Sequence, residues 1–270
     1  MPELPEVETY ARELRSFLIG RRITEVAIYW PGAVAAPPAE IFASVAQGQQ
    51  IVNVTRRGKY LLMPLAGGNT LAIHLRMTGN LSIRPAQYPI ERHTHVVLRL
   101  DDGQALHFTD PRKFGRLWLV SDLEELVGKL GPEPLDRAFT PQELAARLQG
   151  RTAPVKVVLL DQTCIAGIGN IYADETLFVA RIDPRRPANS LDHGDILRLH
   201  AAIRFVLAGA IRAGGSTLRD YRPPMTGQGR FQDEFQVVRR ADQPCPVCGT
   251  PIARIRLAQR STYFCPQCQR

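Results

Sequence analysis

Two residues able to do chemistry stand at the start of the chain. Pro2 follows the initiator methionine, and its small size permits removal of Met1, which would leave Pro2 with a free secondary amine. An α-amino group titrates near pH 8, so about a tenth is unprotonated at pH 7, whereas a lysine near 10.4 offers under about a thousandth. Attack by such an amine on a carbonyl-like carbon gives a cationic iminium. That electron sink acidifies the neighbouring C–H and permits β-elimination, with Glu3 beside it as general acid/base. Read alone, the same Pro-Glu pair is also an ordinary way to open a helix.

The second chemical constellation lies at the other end. Cys245-x-x-Cys248 and Cys265-x-x-Cys268 are separated by 16 residues, the spacing at which two backbone knuckles present four thiolates to one structural Zn2+. All four positions are sulfur, so no site remains for a catalytic water. Ile and Arg alternate over residues 252–257, which reads as a β-hairpin carrying Arg254 and Arg256, with Arg260 beyond them for phosphates. A redox pair, or a zinc ribbon that touches protein, would use the same cysteines. Cys164 stands alone and reads as a reduced thiol.

Charge points to the partner. The 270 residues carry a net +8, and residues 136–270 hold 19 Lys/Arg against 12 Asp/Glu, so the C-terminal half supplies +7 of it. With a pI near 9.6 this favours a polyanion, nucleic acid ahead of an anionic membrane. No apolar run reaches the roughly 18–20 residues needed to span a bilayer, and MPELPEVETYAR is acidic where a secretory signal would be basic. A cytoplasmic protein with no membrane partner is expected. Only four of the 34 cations are lysine, one of them Lys59.

The elements that must position these groups change character along the chain. Apolar residues at helical spacing predict a helix over 5–18, ended by Gly20. Short β-rich runs follow at 22–30, 51–55, 60–65, 70–75, 95–100, 104–109 and 116–120, with Asp101-Asp102-Gly103 as a hairpin turn. Seven such strands suggest a sandwich or barrel. After a Gly-Pro-Glu-Pro linker near 131–136, helices are predicted from Thr140-Pro141-Gln142-Glu143 to Gly150, and over 154–161, 170–180 and 191–213. Residues 215–233, rich in Gly, Pro, Arg and Asp, read as a loop.

Taken together, MPELPEVET, Arg57-Gly58-Lys59-Tyr60, His74-Leu75-Arg76-Met77-Thr78-Gly79, Asp110-Pro111-Arg112-Lys113-Phe114-Gly115, the run from Gly167-Ile168-Gly169-Asn170 to Glu175 and the four-cysteine unit resemble the formamidopyrimidine-DNA glycosylase family, in family order. The resemblance implies an α+β fold: an N-terminal β-sandwich with flanking helices (1–131), a helix-two-turn-helix domain with a lesion-capping loop (132–234) and a C-terminal zinc β-hairpin (235–270). It implies base-excision repair of oxidised purines, 8-oxoguanine and formamidopyrimidines, with abasic-site lyase activity by β,δ-elimination. The partner would be double-stranded DNA containing oxidised bases or abasic sites, bound by a monomer that associates with the nucleoid.

The resemblance also implies roles. Pro2 would attack C1′, Glu3 would move protons, and Lys59 would engage DNA near the lesion, although alone it reads as a solvated turn lysine. Met77, Arg112 and Phe114 match a set that fills the stack emptied by an extruded nucleotide: a deformable wedge, an opposite-base donor and an intercalating ring. Singly, Met77 and Phe114 also read as core. Arg260 at the hairpin tip matches the family's phosphate-binding arginine and is counted with Pro2, Glu3 and Lys59 in the catalytic set; Asn170 opening a helix, Lys156, Arg254 and His74 are further DNA-binding candidates, His74 being equally a strand histidine. Glu6 is lesion-proximal or simply a first-turn acid. Residues 217–231 match the region that folds over an extruded purine. Val238 stands where the family commonly has tyrosine, which threatens one phosphate or packing contact. Two rivals are an endonuclease VIII-like enzyme for oxidised pyrimidines and a noncatalytic zinc-ribbon lesion binder.

Overall fold

The structure, a computed structural model, describes residues 2–218 and 221–270. Met1 and residues 219–220, the latter inside the expected lesion cover, lie outside the described residues. Helix α1 (Leu4–Leu18) starts where Glu3 takes extended dihedrals and Pro5 fills an early position that needs no N–H donor. It buries Val7, Tyr10, Ala11, Leu14 and Leu18 on one face, the three-and-four spacing that made it legible. Ile19 leaves the helical region, and Gly20 turns the chain at φ +82°.

Next come β1 (Ile23–Ile28), β2 (Val34–Ala36), α2 (Ala39–Ala46), β3 (Thr55–Arg57), β4 (Tyr60–Pro64), β5 (Thr70–His74), β6 (Asn80–Pro85), β7 (Thr94–Leu100), β8 (Gln104–Thr109), β9 (Arg116–Val120) and α3 (Glu124–Val127). They form a four-stranded sheet ordered β1-β7-β8-β6 and a five-stranded sheet ordered β2-β9-β5-β4-β3. Every neighbouring pair is antiparallel except β2 with β9. One buried cluster draws on α1, α2 and both sheets, through residues such as Leu14, Phe42, Leu61, Ile73, Val96 and Phe108. This is the expected sandwich with flanking helices.

One local expectation shifts, and two elements carry no expectation from the sequence. Ile51 makes only an isolated bridge to Leu65, and continuous pairing begins at Thr55, because β3 is set by the tight turn that returns it into β4. Strand β6 had no expectation although Leu81 and Ile83 alternate; Asn80 and Pro85 bound it with residues that read as turn formers. Helix α2 also went unread, since its two turns are too short for a periodic signal.

The remaining elements are α4 (Pro141–Leu148), α5 (Val155–Leu160), α6 (Asn170–Ala180), α7 (His193–Arg212), β10 (Ala253–Leu257) and β11 (Arg260–Phe264). Thr140 Oγ1 accepts the Glu143 N–H at 3.2 Å, the cap its sequence announced. Strands β10 and β11 pair antiparallel from Ala253↔Phe264 to Leu257↔Arg260. The chain groups into two compact units, Met1–Lys129 with Ala213–Arg230, and Leu130–Arg212 with Phe231–Arg270. The stretch 132–234 is therefore divided: its loop groups with the sandwich, where α1 side chains hold it, and its helices group with the cysteine hairpin.

Candidate functional site

In the first unit, Pro2 is buried immediately before α1, and Glu3 is 2% exposed at the helix N-cap. Glu6 Oε2 accepts the Glu3 N–H at 2.8 Å, the reciprocal bond of a capping box. Its other oxygen accepts the Ser216 N–H at 2.7 Å. One carboxylate thus holds both the residue beside Pro2 and the start of the 213–230 segment. Gly215, at φ +78°, has to be glycine, because a Cβ there would lie 2.9 Å from Glu6 Oε1. Tyr221 donates to the Gly214 carbonyl at 3.0 Å and packs edge-on against Tyr10. Burial raises its phenol well above the ordinary value.

Lys59 sits on the two-residue turn between β3 and β4, after Gly58 at φ +55°. It is 7% exposed, not a solvated turn lysine. Arg56 stiffens the turn by donating to the Gly58 carbonyl at 3.2 Å while its Nε contacts Glu8 Oε2 of α1 at 3.1 Å. His74 ends β5 with its ring edge-on to Tyr60. Desolvation, followed by the charges of Arg76 and Lys59, pushes its imidazole down to about 3. A neutral His74 uses Nδ1 to accept the Arg76 N–H at 3.0 Å. It braces the turn in which Arg76 takes φ +54°, and the same tautomer leaves Nε2–H as a neutral donor.

That turn presents Met77, and a second loop presents Arg112 and Phe114. Met77 and Phe114 are 42% and 44% exposed, not core. Arg112 lies 3.3 Å from Met77 Sδ through Nη1 and stacks its guanidinium 4.6 Å from the Phe114 ring centroid. Asp110, fully buried, organises both loops. Its Oδ1 accepts Thr78 Oγ1–H and the Arg112 N–H, and its Oδ2 accepts the N–H groups of Phe114 and Gly115 at 2.8 and 2.7 Å. The three residues matched from sequence alone are thus brought together by an aspartate that carried no assigned role.

In the second unit, Lys156 requires correction. Its side chain is 0% exposed and pairs with Asp174 at 2.7 Å, while Nζ donates to the Ser261 carbonyl and to Thr262 Oγ1 at 2.8 Å each. It cannot present its charge to a phosphate; it fastens β11 to α5 and α6. Asp174 Oδ2 also accepts the Tyr263 N–H at 3.1 Å, and burial, offset by Lys156, raises this carboxyl to about 7. Asn170 is the first residue of α6, as expected, and donates Nδ2–H to the Ser261 carbonyl at 3.1 Å. Its amide therefore already orients the hairpin.

The hairpin turns on Ala258 and Gln259, both left-handed at φ +42° and +64°. Arg254, Arg256 and Arg260 are all exposed. Arg254 Nη2 reaches Ser261 Oγ at 3.1 Å, and its guanidinium lies over the Tyr263 ring. Upstream, Glu175 accepts the N–H groups of Gln236, Val237 and Val238 at 2.9, 3.1 and 2.9 Å. Val238 is buried, so the position that departs from tyrosine contributes packing and a satisfied backbone donor.

All four Sγ atoms of Cys245, Cys248, Cys265 and Cys268 lie within 4.8 Å of one another. Cys245–Cys268 and Cys248–Cys265 stand at 3.9 and 3.5 Å. A tetrahedral ZnS4 centre with bonds of about 2.3 Å requires edges of about 3.8 Å, so the donor set fits. Backbone N–H groups of Val247 and Cys268 point at Cys245 and Cys265 Sγ at 3.4 Å each, an arrangement that favours thiolates. These cysteines hold one structural zinc ion.

Asp110, Asp174 and Glu175 were absent from the sequence-derived site. Asp110 and Asp174 lie inside motifs that had been singled out, four residues from Phe114 and Asn170 respectively. Asp110 acts by joining its own loop to Thr78, and Asp174 by meeting Lys156 and Tyr263, links that residue spacing does not report.

Comparison with known proteins agrees along the chain. Residues 1–117 match the formamidopyrimidine-DNA glycosylase N-terminal domain, 130–222 its H2TH domain, and 242–270 the zinc finger found in FPG and IleRS. Proteins named formamidopyrimidine-DNA glycosylase from Desulfitobacterium hafniense and Chloroflexus aurantiacus are 49% and 52% identical, covering 100% of this chain and 100% and 98% of theirs. The MutM (Fpg) protein of Thermus thermophilus aligns with a TM-score of 0.90 at 44% identity, covering 99% of this chain and 98% of that one. Lactococcus lactis Fpg on abasic-site DNA aligns at 0.93 with 36% identity over 99% of both chains. A mutant of the same Lactococcus lactis protein in complex with Fapy-dG containing DNA aligns at 0.93 with 37% identity over 100% of both.

Proposed function

The chain belongs to the formamidopyrimidine-DNA glycosylase family, and on that footing we propose how its own residues divide the work. The protein is a base-excision repair DNA glycosylase for oxidised purines with abasic-site lyase activity. The observation that carries the catalytic reading is a nearly fully buried carboxylate, Glu3, adjacent to Pro2 at the start of α1. Once Met1 is removed, the Pro2 nitrogen attacks the deoxyribose C1′; the C1′–N bond to the damaged base breaks and the base leaves. Glu3 carries protons to open the sugar. The resulting iminium acidifies the C2′–H, so β-elimination expels the 3′ phosphate, and δ-elimination then expels the 5′ phosphate. Phosphates remain at both ends of the gap.

Lys59 places a cation at the sugar-phosphate of the reacting nucleotide, next to a His74 that stays uncharged and so does not compete for it. Met77, Arg112 and Phe114, exposed and in mutual contact, occupy the stack the nucleotide vacates and offset a few kcal/mol of unstacking. Arg260, with Arg254 and the Asn170 helix start, grips phosphates on the zinc hairpin. The segment 213–230, rooted on Glu6, covers the everted base. The protein acts as a monomer, in the cytoplasm and on the nucleoid when bound to DNA.

The test compares excision from duplexes bearing 8-oxoguanine opposite cytosine with excision from duplexes bearing thymine glycol. Preferential release of 8-oxoguanine is expected. Efficient removal of the pyrimidine lesion alone would overturn the purine assignment in favour of an endonuclease VIII-like specificity.

A further inference from the structure

We propose that Glu13 is a positioning residue for purine-lesion excision, seating the outer part of the 213–230 segment on α1. This rests on the reading that the segment covers the everted base. Three α1 residues on one helical stripe, Glu6, Tyr10 and Glu13, engage it in succession. Glu6 holds the Ser216 N–H at its start. The Tyr10 hydroxyl lies 3.1 Å from the Arg222 carbonyl. Glu13 accepts the Met225 N–H through Oε2 at 2.7 Å and Thr226 Oγ1–H through Oε1 at 2.9 Å. Both of its oxygens are used on one turn, itself closed by Gly227 N–H to the Pro223 carbonyl at 3.0 Å.

The two ends of the segment are held differently. Its neck is locked by one backbone and one side-chain acceptor: Arg230 N–H meets the Ala213 carbonyl at 2.9 Å and Gly229 N–H meets Thr217 Oγ1 at 2.8 Å. The strands of this neck approach so closely that a Cβ on Gly229 would lie 2.3 Å from the Gly215 carbonyl oxygen. At the tip, by contrast, Met225 and Thr226 are exposed, and one half-buried carboxylate supplies the two contacts described. Removing Glu13 therefore frees the tip and leaves the neck, α1 and the Pro2–Glu3 end in place. A step that needs the base covered should slow, while elimination at a sugar that has no base should not.

Glu13→Ala and Thr226→Val are measured in single-turnover excision of 8-oxoguanine, in strand scission of a duplex with a preformed abasic site, and in amide exchange across residues 223–228. The account predicts about a tenfold loss of excision for Glu13→Ala, below the full worth of its two charge-assisted bonds because Met225 and Thr226 are exposed to competing water. It predicts a smaller loss for Thr226→Val, scission within about twofold of the unmutated enzyme and lost protection at the Met225 amide. Glu13→Gln, which keeps one acceptor oxygen, should recover part of the excision rate. Equal loss of both activities would reduce Glu13 to a structural role. Unchanged excision, with or without loss of amide protection, would overturn the proposal. An unmutated enzyme that releases no purine lesion would instead overturn the functional reading, and this proposal with it.

Discussion

Replacing Asp110 by asparagine removes charge and half the acceptor capacity with almost no change of volume. The buried carboxylate accepts four donors: Thr78 Oγ1–H on one loop, and the Arg112, Phe114 and Gly115 N–H groups on the other. An amide keeps one oxygen, so its NH2 group must face at least one N–H donor that it cannot satisfy. Loss of two charge-assisted bonds, at about 1.5–3 kcal/mol each, gives an effect of at least about 3 kcal/mol. If it falls on the ground-state arrangement of Met77, Arg112 and Phe114, single-turnover excision of 8-oxoguanine drops by about 100-fold or more. Scission at a preformed abasic site, where no base has to be unstacked, falls far less. The unfolding midpoint should drop by about 6–10 °C in the same protein, which separates a folded, slow enzyme from a collapsed one. Wild-type excision by Asp110→Asn would refute the claim that this carboxylate holds the two loops in register.

Two other outcomes follow from particular groups. Arg260→Ala should weaken binding across all duplex sequences and reduce the slope of log K against log salt by about one, since the residue reads charge and not bases; an unchanged slope in a salt titration counts against that role. His74 is held neutral, with its folded pKa lowered to about 3. Because the unfolded chain binds the proton from about pH 6.5 downward and the folded one does not, this group lowers stability by about 1.4 kcal/mol per pH unit between those values. The stability of His74→Gln should therefore fall less steeply than that of the unmutated protein below pH 6; parallel pH profiles would contradict a buried neutral imidazole.

What was legible in the sequence was whatever repeats or clusters locally. The apolar stripe of α1, the Thr140 cap, the alternation of β10 and the two Cys-x-x-Cys knuckles each state their structure within a few residues. Lys156 shows why the rest was hidden. A lysine is expected at the surface, and only the fold brings it to Asp174 on the next helix and to Ser261 and Thr262 in the hairpin. Asp110 was visible as a motif member but not as a hub, because its value lies in donors on two loops. Residues 215–233 have no periodicity, since α1 side chains and close glycine contacts hold the segment rather than a repeated apolar face. The same blindness applies to β6, whose pairing with β8 supplies what its composition does not.

The account stands on a covalent bond between the Pro2 nitrogen and C1′ of the damaged nucleotide. Borohydride reduction during turnover, followed by mass spectrometry of the N-terminal peptide, tests it directly. The account predicts an adduct on Pro2 from the Met1-trimmed, zinc-loaded protein, reduced in Pro2→Gly, whose primary α-amine replaces the secondary one, and abolished when the N-terminal amine is acetylated. Undiminished strand scission by the acetylated protein, or an adduct on another residue, would contradict it.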